Sequence, residues 1–412
     1  MKESRNTMKK PKWSGLLYRC CHRGVVGVTS LGQTIANSLK SVLPRHWAWI
    51  VGITAGVVLV WGLVGTLSPV VGATAATHTV MSTTENVIWG ELFKPDSKPI
   101  LRVKSGDRIV MQTISHEGIL ADQGDTTEFF TKAGITKDKI LPDQLAVKAK
   151  VEKTGPGPHV ITGPIFVEGA EPGDVLEIKT LKIDYRVPYG VISNRHNRGS
   201  LPGEYPENDA PIYTKVIPVD AERNIGIFRS SNGRPNVDIP LKPFMGIMGI
   251  VPANREDAVN SVPPGIYGGN IDIKHIGVGT SLYLPVQVPG ALFYSGDPHC
   301  AQGNGEVALT AIECSLTPTF ELVVHKDMKL ETPMAETPDA WLAIGLDQDL
   351  DEAMKKSVRE SLRIIEEKYG MTKADALLLG SAAIDFEVSQ VVDIVKGIHG
   401  VISKDLLKDL EL

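Results

Sequence analysis

From Pro99 to Lys326 the sequence keeps returning to one pattern, apolar and polar residues in alternation, broken by turn residues. That period of two places successive side chains on opposite faces of a sheet and predicts a β framework. In ILRVKSGDRIVMQTI, residues 100–114, alternating strands flank a Ser-Gly-Asp turn; FVEGAEPGDVLEIKTLKI, residues 166–183, repeats the arrangement around Pro-Gly-Asp. Gly106-Asp107 and Gly173-Asp174 are thus expected to be related hairpin turns in two similar units. Between them, residues 133–159 read as an ordered excursion, and residues 189–211 as a long polar loop of the kind that carries function.

After Lys326 the period changes. Leu350, Met354, Val358, Leu362, Ile365 and Tyr369 recur every three or four residues, one apolar stripe of a helix, with Asp351 placed to cap its start and Gly370 to end it. Thr372 with Asp375 opens a second helix that runs on through ALLLGSAAIDF. The expected class is α+β, mostly β: a jelly-roll-like β-sandwich core with C-terminal helices packed on it.

The N-terminus is a separate problem. Before His46 there are nine basic residues and the single acid Glu3, so this tenth of the chain carries +8 of a net charge of −5 and the rest carries −13. From His46 to Thr84 there is no Asp, Glu, Lys or Arg, and Ala48 to Gly65 is apolar and of about the length that crosses a bilayer. Basic residues hold their flank in the cytoplasm, which puts the bulk of the chain outside. Ala73-Thr74-Ala75 followed by Ala76 reads as a signal-peptide cleavage site, and the length of the apolar run reads as an uncleaved anchor. The expected organisation is a basic cytoplasmic segment (1–46), a signal peptide or transmembrane anchor (47–75) and an extracytoplasmic domain (76–412), divided into a β core (76–330) and a helical part (331–412). A net charge of −5, close to neutral for this length, argues against a general nucleic-acid binder, which needs a basic face. Cys20 and Cys21 lie in the cytoplasmic segment. Cys300 and Cys314 are left for the outer domain, where a disulfide is permitted.

The candidate chemistry concentrates in residues 268–313. Asn270 with Asp272, Asp297 with His299, and Asn304 with Glu306 are each two apart, so in strands each pair offers two groups to one face. Carboxylates with imidazole suit a divalent ion, and a carboxylate such as Glu306 suits proton transfer. Turn chemistry accounts equally well for Asn304. Ser115-His116-Glu117-Gly118 offers His116 as a further metal ligand and Glu117 as a base. Arg195, in Ser193-Asn194-Arg195-His196, is a candidate substrate contact. His275, His325 and His399 read as structural, and His159, beside a turn, as either. Cys300 follows His299, but adjacent strand residues face opposite ways, so an inert buried cysteine is the better reading than a nucleophile.

Three stretches, TGPIFVEGAEPGDVLEIKTLKI (162–183), GGNIDIKHIGVGTSLYLPVQVPGALFYSGDPHCAQGNGEV (268–307) and SAAIDFEVSQVVDIVKGIHG (381–400), resemble acetamidase/formamidase proteins, in that family's order. The resemblance covers essentially everything after His78. It implies a metal-associated hydrolase of small linear amides, acetamide- or formamide-like, that releases ammonia, and a homodimer. Asn270, Asp272, Asp297, His299, Gln302, Gly303, Gly305 and Glu306 match positions in the family's motifs. The expected roles are Asp272, Asp297, His299 and His116 as ligands of a divalent metal, zinc with calcium as the alternative; Glu306 and Glu117 as catalytic groups; and Asn270, Gln302 and Arg195 as substrate contacts. One departure stands out. The family commonly has Gly-Asp-Gly-Glu where this chain has Gly303-Asn304-Gly305-Glu306, and loss of that charge would weaken a metal site. An inactive ligand-binding protein on the same scaffold is the alternative reading.

Overall fold

The structure is a computed structural model, and it describes residues 75–253 and 259–410. The expected class holds: the chain is α+β and mostly β, with two large mixed sheets. The nine-stranded sheet runs in the order Thr77–Val80, Arg108–Met111, Leu316–His325, Val175–Tyr185, Thr280–Pro285, Met334–Glu336, Ala340–Asp347, Lys396–Ser403, Asp385–Gln390. The eleven-stranded sheet has Phe293–Ala301 at its centre, between Phe244–Gly249 on one side and Val160–Val167 and Ile312–Glu313 on the other. One continuous core joins the sheets, with Ile109, Ile178 and Phe320 from the first meeting Ile161, Ile247 and Phe293 from the second. Leu316–His325 shows the alternation plainly: Leu316, Pro318, Phe320 and Leu322 are buried, and the residues between them are half-buried. Burying one such side chain contributes roughly 2 kcal/mol.

The two Gly-Asp turns are not hairpins. Leu101–Val103 pairs with Val160–Val167 in the eleven-stranded sheet, whereas Arg108–Met111 pairs with Leu316–His325 in the other. Val160–Val167 and Val175–Tyr185 are divided between the sheets in the same way. Each turn therefore hands the chain from one sheet to the other. Both use the same lock: Asp107 Oδ2 accepts from Lys104 N at 2.9 Å, and Asp174 Oδ2 accepts from Glu171 N at 2.8 Å. The similarity between the two segments is thus a shared crossover.

The division at residue 330 into β and helical parts is also corrected. Met334–Glu336, Ala340–Asp347, Asp385–Gln390 and Lys396–Ser403 complete the nine-stranded sheet, and the helices Leu350–Tyr369 and Lys373–Ala383 are inserted between them. The first helix is capped by Asp349 rather than Asp351; Asp349 accepts from Asp351 N and Glu352 N, and Gly370 ends the helix in the left-handed region. Its most buried face matches the expected stripe only at Ile365 and Tyr369. Ala353, Ser357, Ser361, Ile364 and Ile365 are buried, while Met354, Val358 and Leu362 are half-buried. The reason is close approach: small residues let the helix settle on the sheet, and Ser357 Oγ donates to Ala343 O at 2.7 Å. The second helix opens as expected, with Thr372 accepting from Asp375 N, but it stops at Ala383 and Asp385 begins a strand.

Residues 133–159 contain the helix Pro142–Lys150, and the supposed long loop begins as the strand Tyr189–Arg195. Gln144 on that helix donates to Ser115 O and Glu117 O at 2.9 and 3.0 Å, which pins the segment carrying His116. Among the described residues no helix is long and apolar enough to cross a membrane; the apolar run 48–65 lies outside them, as do Ala73 and Thr74 of the expected cleavage site.

Candidate active site

Five segments bring titratable side chains to the floor of one cavity of about 740 Å3, or directly behind it. Asp297 and His299 come from the central strand Phe293–Ala301, Glu313 from its neighbour, His159 from just before Val160–Val167, His116 from the Ser115–Gly118 segment, and Glu306 from the loop after Ala301. Asp272 and Asp393 close the cluster from beneath and from the turn after Gln390. All eight are at least nine-tenths buried.

Asp297 is the hub. Its Oδ1 lies 3.4 Å from His116 Nδ1 and 3.6 Å from His159 Nε2, and its Oδ2 lies 3.0 Å from His299 Nε2. His299 Nε2 is also 3.1 Å from Glu313 Oε1, and its Nδ1 is 3.7 Å from Asp272 Oδ1. His159 Nδ1 is engaged by Ser261 Oγ at 2.9 Å, which turns Nε2 toward Asp297. Many of these close atoms make no aligned hydrogen bond: His116 Nδ1, both oxygens of Asp272, Asp297 Oδ1, and both ring nitrogens of His299. Orphaned atoms this deep are costly unless something else satisfies them.

The backbone is bent to make this arrangement. Asp272, Asp297 and Glu306 have φ of 47°, 52° and 47°, a left-handed conformation uncommon outside glycine that costs of order 1–3 kcal/mol each. Asp297 and His299 therefore share the cluster through a kink at Asp297 and a register shift between His299 and Ala301, not through plain strand alternation. Asn270 ends the strand Gly268–Asn270, and Asp272 reaches the cluster from the kink beyond it. Gly246, which falls opposite Asp297 in the paired strand, makes room: a Cβ there would stand 2.5 Å from Asp272 Oδ1 and from Asp297 Oδ2.

The electrostatics follow from burial and crowding. Burial works against charge on Asp297, but His159, His299 and His116 outweigh it and hold the carboxyl well below its ordinary range. Burial, with His116 and His299 nearby, lowers His159 to about 4 and keeps it neutral. His299 and His116 are raised despite burial, by Glu313 and Asp297 for the first and chiefly by Asp297 for the second. Burial and the Asp272 carboxylate push Glu306 well up, and Asp393 rises for the same reasons. Burial, partly offset by His299, lifts Glu313 to about 7 and Asp272 to about 6.

The sequence-derived residues sort into three groups. His116, Asp297, Glu306, Asn270 and Arg195 line the cavity. Asp272 and His299 sit behind that surface, His299 against Asp297 and Asp272 against His299. Glu117, Gln302 and Asn304 need correction. Glu117 is fully buried and does not reach the cavity: it accepts from Arg195 Nη1 at 2.8 Å, from Ser193 Oγ at 3.0 Å and from Gln123 Nε2 at 2.5 Å, so it is the counter-charge that fixes Arg195. Gln302 Nε2 donates to Asp272 O and Ser389 O, bracing backbone instead of facing the cavity. Asn304 and Glu306 are not strand neighbours; they lie on opposite sides of a loop, and the exposed Asn304 donates to Glu387 Oε2 at 2.5 Å. The missing charge at 304 is therefore outside the cluster. Cys300 is joined to Cys314, Cα atoms 5.7 Å apart, which removes it as a nucleophile.

His159, Glu313 and Asp393 are the residues that sequence reasoning left out or left open. Glu313 had a signal. A Cys300–Cys314 disulfide places the preceding residues side by side, and His299 and Glu313 are indeed register partners.

A two-sheet protein whose central strand buries imidazoles and carboxylates at a cavity floor is the class this fold and site define. The sequence model of the Acetamidase/Formamidase family matches residues 81–261 and 254–404, and the chain belongs to that family. The formamidase of Methylophilus methylotrophus is 27% identical over 301 residues, 57% of this chain and 74% of that protein. Among solved structures, an acetamidase of Yersinia enterocolitica superposes with a TM-score of 0.66 at 26% identity, covering 82% of this chain and 94% of that one. An acetamidase of Bacillus halodurans gives 0.65 at 27% identity, covering 81% and 100%.

Proposed function

We propose that the chain hydrolyses the carbon–nitrogen bond of small linear amides, giving a carboxylate and ammonia, in the cavity floored by His116, His159, Asp297 and Glu306. The observation that carries this reading is the buried cluster itself, with its unsatisfied ring nitrogens and carboxylate oxygens around one accessible floor. The formamidase and acetamidases named above support the reaction class.

The donor set fits a divalent ion. His116 Nδ1, His159 Nε2 and Asp297 Oδ1 converge, and in a tetrahedral zinc site with bonds near 2.0 Å neighbouring ligands lie ~3.3 Å apart, close to the 3.4 and 3.6 Å separations here. Two imidazoles favour zinc over calcium, which takes oxygen ligands. This set replaces Asp272 and His299 of the sequence reading with His159; His299 pairs with Asp297 from behind, and Asp272 lies against His299. When bound, such an ion polarises the amide carbonyl and makes water more acidic.

The chain's own residues supply the rest. Asn270 Oδ1, buried and without a hydrogen-bond partner, faces the cavity as an acceptor for the amide N–H. Glu306, its proton affinity raised by burial and by Asp272, takes a proton from the attacking water and delivers it to the departing nitrogen. Water oxygen bonds to the carbonyl carbon as the carbon–nitrogen bond breaks. Arg195, fixed by Glu117 and Asp122, sits at the cavity wall to orient the substrate's oxygen-bearing end. Asn304 lies outside this set, which removes the feature that favoured an inactive binding protein. The proposal includes an extracytoplasmic location, supported by the disulfide, and a homodimer, which rests on family resemblance.

The test is Glu306→Gln. A loss of kcat of roughly 100- to 10,000-fold, with KM and thermal midpoint little changed, is expected of a proton-transfer residue. A rise in KM at unchanged kcat would remove Glu306 from the chemistry.

A further inference from the structure

A second cluster of ligand-type side chains lies apart from the cavity. His275 stands in the segment after Asp272, Glu387 on the edge strand Asp385–Gln390, and His399 on the neighbouring strand Lys396–Ser403, where it is the register partner of Glu387. Glu387 Oε2 lies 3.0 Å from His275 Nε2 and 3.4 Å from His399 Nε2. These are edge lengths of a tetrahedral site, whose ligands, at about 2.0–2.1 Å from the ion, lie ~3.3 Å from one another.

Three further observations point the same way. His399 is fully buried, and its Nε2 makes no aligned hydrogen bond although it faces this group. Its other ring nitrogen, Nδ1, is held by Ser389 Oγ at 2.8 Å, the kind of outer contact that orients a ligating histidine. The Asn304 amide completes the ring, 2.5 Å from Glu387 Oε2 through Nδ2; a half-turn of the amide presents Oδ1 to the same point.

The geometry points to a structural zinc-type site formed by His275 Nε2, His399 Nε2 and Glu387 Oε2, with the Asn304 amide or water at the fourth position. Its place explains what it would do. Gly305 N donates to Ser389 O and Val391 N to Gly305 O, so the loop that carries Glu306 is already laced to the strand that carries Glu387. An ion here ties that loop, the 271–279 segment and the sheet edge into one unit. The inference does not depend on what the central cavity binds.

The experiment counts ions. Full-length protein is stripped with a chelator, refilled with zinc, desalted and analysed by plasma mass spectrometry. Wild type is expected to hold one ion per chain more than His275→Gln and one more than Glu387→Gln. Because only differences are read, the count holds whatever the central cavity takes up. Equal counts in wild type and both variants overturn the site. His275 is partly exposed, so its substitution is compatible with folding. Should the variants fail to fold, the cobalt-loaded double variant His159→Gln, His299→Gln, in which every ligand grouping of the central cluster loses a member, reads the second site alone. The strong visible absorption of tetrahedral cobalt is expected there, and its absence overturns the proposal.

Discussion

Gly246 offers the sharpest perturbation of the site. Its φ is ordinary, so replacement by alanine strains no backbone, and the entire effect is the added methyl group. That methyl would stand 2.5 Å from Asp272 Oδ1 and Asp297 Oδ2 and 2.7 Å from His299 Cε1. A carbon–oxygen contact relaxes only near 3.3 Å, so the two carboxylates must retreat by about 0.8 Å. A misplacement of that size at a reacting centre costs about 100-fold in rate. Overpacking of a buried site costs about 2 kcal/mol of stability. The assay is ammonia release from formamide and acetamide by Gly246→Ala, with ion content and thermal midpoint measured on the same sample. Gly303→Ala is the control, because a Cβ at Gly303 meets nothing within 4 Å although that glycine belongs to the Gln302–Glu306 motif. Wild-type turnover and ion content in Gly246→Ala would refute the idea that Asp297 and Asp272 work at fixed positions.

Two other outcomes follow from the same geometry. Cys300 and Cys314 are separated by 14 positions, and a disulfide closing a loop of that size stabilises by about 3 kcal/mol; Cys300→Ser with Cys314→Ser should lower the denaturant midpoint accordingly and disturb the His299–Glu313 pairing beside it. His159 has its folded pKa depressed from 6.5 to about 4, so in ion-free protein the unfolded chain binds the proton first. Stability should fall as pH drops through that window, by up to about 3 kcal/mol below it, and His159→Gln should flatten this part of the curve in denaturant titrations.

The sequence made some features legible because they are local. Alternation marked the strands, and the caps of the second C-terminal helix and the Gly370 stop were readable from Thr372, Asp375 and glycine. It hid what depends on pairing. Nothing local says that the strands flanking Gly106-Asp107 belong to different sheets, or that Met334–Glu336 and Asp385–Gln390 are strands of the sheet beneath the helices. The helix stripe misled because apolarity was weighed above size: Ala353, Ser357 and Ser361 fit close to the sheet where Met354 and Leu362 do not. In the site, Asp297, His299 and Glu306 announced themselves in a dense polar motif. Glu313 and Asp393 reach the same cluster from segments with no such density, through register with His299 and through the turn after Gln390. The rule that residues two apart share a face failed for Asn304 and Glu306, because they lie in a loop, where that period does not apply.

We propose amide hydrolysis in a cavity that holds a divalent ion. The most direct measurement is ammonia release from formamide, acetamide and longer linear amides by the purified protein, before chelation, after chelation and after zinc is restored. Release that vanishes with the chelator and returns with zinc is the predicted result. Release untouched by complete removal of metal would contradict the ion-dependent site, and no release of ammonia from any linear amide by folded, zinc-loaded protein would contradict the hydrolase itself.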